Sequence, residues 1–160
     1  MDYTIKTLLT RETVENRIKE LAKEIEKDYK GKELLVIGLL KGSVVFMTDL
    51  IKEMDLPLVI DFMSVSSYSG TTSTGVIKIL KDTDIDVKGK DVLIVEDIID
   101  TGLTLSRVKK MLIERGTKTL KICTLLDKPS RRTVDMKGDY VGFEIPDEFV
   151  VGYGLDYDQH

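Results

Sequence analysis

The 160-residue sequence holds one cysteine, one histidine, three prolines and no tryptophan. Its single thiol, Cys123, cannot close an internal disulfide, so a reducing, cytoplasmic setting is the expectation. The only histidine is the terminal His160, which removes a Ser/His triad, a Cys/His pair and any Cys/His metal site. Oxygen ligands of the Mg²⁺ kind are what remain. No apolar run approaches the ~20 residues of a membrane helix, and "MDYTIKTLLTRETVENR" carries acids where a signal peptide has a basic segment. A net charge of −4 and a pI near 5.1 lack the footprint of a protein whose main ligand is nucleic acid. Two phosphate fingerprints are missing as well: "GLLKGS" has the wrong spacing for a P-loop, and "GYGLDY" breaks the dinucleotide pattern at its last position.

What is present is an ordinary globular composition, 42% apolar and 32% charged. The length suits one domain, residues 1–160, that buries roughly 70% of its unfolded surface. "LTRETVENRIKELAKEIEKDYKG" predicts an amphipathic helix, with Val14, Ile18, Leu21, Ile25 and Tyr29 at spacings of three and four. Thr10 can cap its start, Leu9 and Val14 can form a staple, and Gly31 can end it. "ELLVIGLL", "LVIDFMSVSS", "KDVLIVED" and "KTLKICTLLDK" read as strands, the unbroken apolar ones covered on both faces. "VVFMTDLIKEM" and "LTLSRVKKMLIERG" read as helices between them, and "VIKILKD" resumes with alternation. The tail "DYVGFEIPDEFVVGYGLDY" offers two short strands around Pro146. Alternation of strand and helix predicts an α/β fold, a mainly parallel sheet flanked by helices. Ligands of such sheets sit at the carboxyl ends of the strands, which singles out "LLKGS", "EDIIDTGLT" and "LLDKPS".

The stretch "VLIVEDIIDTGLTL" runs an apolar strand into Glu96, Asp97 and Asp100. Three like charges repel one another, so folding alone gives no reason to gather them. Gly102 lets the backbone approach a ligand, Thr101 and Thr104 bring hydroxyls, and a helix starting near Leu103 adds free N–H groups and its positive end. That combination binds phosphate. A plain N-capped helix accounts for the same residues. Glu96 and Asp97 would repel an anion they faced, but can accept from sugar hydroxyls or hold a hydrated Mg²⁺. The alternative is a solvated strand end, less natural for three acids than for one. A ribose phosphate with a metal nearby is the ligand these features suggest together.

This stretch resembles the phosphoribosyl pyrophosphate signature of the phosphoribosyltransferases. From about Leu8 to Asp158 the chain is similar to the bacterial hypoxanthine (hypoxanthine-guanine) members of the type I family. "LLKGSVVFM", "DFMSVSSYSG", "LLDKPSRR" and "DYVGFEIPDEFVVGYGLDY" carry the likeness, in order and spacing as much as singly. The resemblance implies the type I fold with a small hood, built from the N-terminal few residues and roughly 128–160. It also implies transfer of 5-phosphoribosyl from 5-phospho-α-D-ribose 1-diphosphate to a 6-oxopurine, with Mg²⁺, in a homodimer or homotetramer.

Carried over residue by residue, the resemblance gives Glu96 and Asp97 to the ribose hydroxyls and, with Asp156, to Mg²⁺. Asp100 becomes the general base near purine N7. Asp100, Thr101, Gly102, Leu103 and Thr104 wrap the 5′-phosphate, and Leu40, Lys41 and Gly42 form the pyrophosphate loop, in which the peptide before Lys41 can be cis. Ser67 and Tyr68 begin a polar loop that closes over the site and keeps water from an oxocarbenium-like transition state. Lys128 donates to the 6-oxo group and rejects adenine, Phe149 stacks on the purine, and Val150 and Asp156 meet the base edge. Relatives carry an arginine in a tail past the Asp156 region; "DYDQH" holds no counterpart. A non-catalytic regulator that binds nucleotide and RNA on the same fold would be expected to replace Asp100 and show a basic face, whereas this acidic sequence keeps Asp100. A phospho-acceptor signalling domain also gathers acids at strand ends, but the phosphate cradle and Lys128 count against it.

Overall fold

The computed structural model describes residues 9–67 and 76–147. The first helix, α1 (Arg11–Asp28), starts where Thr10 accepts a hydrogen bond from the Thr13 amide, and its Ile18, Leu21, Ala22 and Ile25 are buried. It ends at Asp28, ahead of Gly31, which lies in the turn that follows. Strand β1 (Leu34–Leu39) leads into α2 (Val44–Glu53), which returns to β2 (Leu58–Ser67). β3 (Ile77–Lys81) runs antiparallel to β2. Then come β4 (Asp91–Ile99), α3 (Leu103–Glu114), β5 (Thr119–Asp127), a 3₁₀ turn over Pro129–Arg131 and β6 (Tyr140–Glu144).

The strands form one six-stranded sheet in the order β3-β2-β1-β4-β5-β6, parallel except for β3. Both faces are covered, which explains the unbroken apolar strands. Leu34 and Val36 of β1, with Leu93 and Val95 of β4, pack against α1 and α2. The alternate residues Leu35, Ile37, Val92 and Ile94 pack against Leu105, Val108 and Leu112 of α3. Part of the stretch expected to supply a hood, Tyr140–Glu144, is hydrogen-bonded into the main sheet as β6. Arg17 of α1 holds that strand by donating to the carbonyls of Gly142 and Val141, at 2.9 and 2.8 Å. The second strand expected around Pro146 falls outside the described residues. Among the described residues no helix is long and apolar enough to cross a membrane.

The order of the strands decides where a ligand can sit. The chain builds outward from β1 to β2 and β3, then returns to β4 and builds the other way to β5 and β6. Its switch point lies between β1 and β4, and the crevice outside their carboxyl ends is where open α/β sheets bind ligands.

Candidate active site

At that switch point the loop after β1 meets the end of β4. β4 extends through Ile99, so Glu96 and Asp97 stand within its last residues and not beyond them. Both are half-buried. The Asp97 amide donates to Glu96 Oε1 at 2.9 Å, and the Ile98 amide donates to Asp97 Oδ1 at 2.8 Å. Burial, and then the adjoining Asp97 carboxylate, push Glu96 well above the usual carboxylate range. Two neighbouring carboxylates under that electrostatic load suit a cation or hydrogen-bond donors.

Gly42, in the loop of Leu40, Lys41 and Gly42, comes up against Asp97. The peptide between Leu40 and Lys41 is cis, as the resemblance allowed. The Leu40 amide donates to the Met63 carbonyl at 2.8 Å, while those of Lys41 and Gly42 find no acceptor among the described residues. Lys41 is exposed. Gly42 comes so close to Asp97 that a Cβ there would stand 2.8 Å from Asp97 Cγ and closer still to Oδ2. The loop after β1 and the carboxylate pair, far apart in sequence, therefore share one wall.

The two readings of "DTGLT" meet in the turn from β4 into α3. Gly102 occupies the N-cap position with φ +81°, a left-handed conformation that favours glycine, and offers no side chain to cap the helix. Thr101 Oγ1 accepts from the Leu103 amide at 3.3 Å, so its hydroxyl oxygen partly caps the helix. The Ser106 amide bonds the Gly102 carbonyl at 2.9 Å, but those of Thr104 and Leu105 have no acceptor among the described residues. Open amides at a helix N-terminus make an anion site. Leu103 and Thr104 are half-buried beside it.

Asp100 projects from the same turn, its side chain 46% exposed. Lys128 follows the end of β5 and is only 7% exposed, yet its ammonium makes no hydrogen bond or ion pair among the described residues. Its backbone amide donates to the Ile99 carbonyl at 3.0 Å, which sets it beside Asp100. A buried, uncommitted cation is a donor waiting for an acceptor. Ser67 closes β2 opposite Ile77. Tyr68, Phe149, Val150 and Asp156 lie outside the described residues.

Two arginines in this site were not read from the sequence. Arg131 Nε donates to Asp100 Oδ1 at 3.0 Å. Arg132 donates to the Asp100 carbonyl at 2.7 Å and the Met136 carbonyl at 2.8 Å, and forms a close ion pair with Asp127. Its chain and Met136 press against Gly102. A trace of this existed in "LLDKPSRR", where a basic doublet follows a buried strand end.

A family model described as "Phosphoribosyl transferase domain" matches residues 4–158. The hypoxanthine phosphoribosyltransferase of Salmonella typhimurium is 54% identical over 162 aligned residues, covering 99% of this chain and 91% of that protein. A crystal structure of a hypoxanthine-guanine phosphoribosyltransferase from Bacillus anthracis superposes with a TM-score of 0.90 at 51% identity, covering 96% of this chain and 89% of that one. The Trypanosoma cruzi hypoxanthine phosphoribosyltransferase in complex with its product IMP gives a TM-score of 0.92 at 43% identity, covering 100% and 91%. The chain belongs to the phosphoribosyltransferase family.

Proposed function

We propose that the protein is a purine-salvage enzyme that transfers 5-phosphoribosyl from 5-phospho-α-D-ribose 1-diphosphate to hypoxanthine, and to guanine, releasing pyrophosphate with IMP or GMP. The observation that carries the purine assignment is Lys128, buried at the end of β5 with an uncommitted ammonium beside the Asp100 turn. A 6-oxo group accepts its hydrogen bond; the 6-amino group of adenine cannot.

In the reaction purine N9 bonds to C1 of the ribose, the bond from C1 to the pyrophosphate oxygen breaks with its electron pair, and the N7 proton passes to Asp100. The open amides of Thr104 and Leu105, with the Thr101 and Thr104 side chains, hold the 5′-phosphate so that C1 faces the base. The free amides of Lys41 and Gly42 and the exposed Lys41 ammonium take the leaving pyrophosphate. Glu96 and Asp97 accept from the ribose hydroxyls. They also fit Mg²⁺, since they are adjacent oxygen donors and Glu96 sits in the negative potential that a dication relieves. Mg²⁺, when bound, neutralises charge on the diphosphate.

Phe149 as the stacking ring, Val150 and Asp156 at the base edge, Asp156 toward Mg²⁺, and Ser67-Tyr68 at the start of a lid complete the reading by family likeness. So do action in the cytoplasm and assembly as a homodimer or homotetramer, which sedimentation tests. The nucleotide- and RNA-binding regulator is not favoured, since the chain keeps Asp100 and is acidic overall.

The test is pyrophosphate release with Mg²⁺, phosphoribosyl pyrophosphate and, separately, hypoxanthine, guanine, xanthine, adenine and uracil. Release with hypoxanthine and guanine is the expected result. Turnover of adenine, or of none of the five, would overturn the assignment.

A further inference from the structure

We propose that Arg131 is a positioning residue for Asp100: it holds the carboxylate through Oδ1 and leaves Oδ2 to receive the purine proton. This inference rests on the reading of Asp100 as the proton acceptor. Arg131 Nε reaches Asp100 Oδ1 at 3.0 Å from 31 positions away, and Oδ2 has no partner among the described residues. On its far side, the same guanidinium lies 3.7 Å from Asp147 Oδ2.

The main chain of the Asp100 turn does not need this contact. Three successive carbonyls, those of Ile99, Asp100 and Thr101, are already held by the Lys128 amide, the Arg132 guanidinium and the Thr133 amide. Arg131 acts on the carboxylate alone. Its side chain and that of Asp100 are 48% and 46% exposed, and an ion pair so wet adds little to stability. Its consequence is orientation, because a carboxylate with one oxygen pinned has its torsion set before the purine arrives.

The Pro129–Arg131 turn explains how the contact arises. The Arg131 amide donates to the Lys128 carbonyl at 3.0 Å, so Lys128 and Arg131 begin and end one short turn. The residue that recognises the 6-oxo group and the one that aims the base for N7 are thereby placed together. On one purine ring those two atoms are neighbours as well.

The experiment is a double-mutant cycle on kcat, with KM for both substrates and thermal midpoints, using D100N, R131Q, R131K and D100N/R131Q. R131Q is expected to lower kcat about 2- to 5-fold, the scale of an exposed pair. KM for phosphoribosyl pyrophosphate and the midpoint should stay unchanged, and R131K should recover part of the rate. Adding R131Q to D100N should then change nothing, since the group it positions is gone. The same fold-loss in the D100N background, or wild-type kcat in R131Q, would overturn the proposal for Arg131 while leaving Asp100 in its role. A D100N protein with wild-type kcat would overturn the Asp100 reading, and this proposal with it.

Discussion

Adding one methyl group at Gly42 tests the contact between the loop after β1 and the carboxylate pair. In Gly42→Ala the new Cβ would lie 2.8 Å from Asp97 Cγ, and nearer to Oδ2. Carbon atoms rest at about 3.5–4.0 Å, so something must move by about 1 Å. Three routes exist: the loop retreats, β4 shifts, or the Asp97 side chain swings. β4 is paired on both sides, to β1 and β5, and is the stiffest of the three. The swing breaks only the bond from the Ile98 amide to Asp97 Oδ1, worth ~0.5–1.5 kcal/mol, so Asp97 should give way. The thermal midpoint should then fall by only about 1–6 °C. Activity should suffer far more, since a misplacement of about 1 Å can cost roughly 10²-fold in rate. Thermal unfolding and the kcat/KM for phosphoribosyl pyrophosphate read the two quantities separately. A variant with unaltered kcat/KM would refute the claim that the Gly42 loop and Asp97 act on the same substrate, whatever its midpoint.

Asp100→Asn should lower turnover while phosphoribosyl pyrophosphate binds almost as before; titration calorimetry beside a rate assay checks this, and weakened binding with normal turnover would contradict it. Lys128→Ala removes a charged hydrogen bond worth ~1.5–3 kcal/mol, so KM for hypoxanthine should rise roughly 10- to 100-fold. An unmoved KM would remove Lys128 from base recognition. Arg132→Met leaves Asp127, whose side chain is 8% exposed, as an unpaired buried charge. That costs ~3–5 kcal/mol, or a midpoint lowered by about 6–20 °C in calorimetry; a fall of under about 3 °C would show that the pair is not holding the turn. Glu96 binds its proton more tightly in the folded protein than in the unfolded chain, so its ionisation opposes folding increasingly as pH rises above the ordinary 4.5. Glu96→Gln should therefore raise the midpoint of the Mg²⁺-free protein at pH 8 and merge with wild type toward pH 4, and a lowered midpoint at pH 8 would reverse the sign argued here.

Much of this architecture is written in short-range pattern. Unbroken apolar runs become strands covered on both faces because α1 and α2 shield one side and α3 the other. The α1 stripe and its Thr10 cap follow from spacings of three and four and from one side-chain oxygen. The glycine turn into α3 was legible because its parts lie within five residues, where a glycine, two hydroxyls and a helix start act on the same space. Even there, only the folded turn shows that Thr101 Oγ1 accepts from the Leu103 amide.

Local pattern thus carries the order of elements, the strand ends at which sheets of this kind bind ligands, and the chemistry offered at each. The tertiary structure alone decided which of those ends touch. Gly42 meets Asp97 only because β1 pairs with β4 at the switch point. Arg131 and Arg132 meet Asp100 across 31 and 32 positions only because β5 aligns Asp127 with Ile99. Such contacts depend on strand register and on where a chain turns after a sheet, so no local run of residues encodes them.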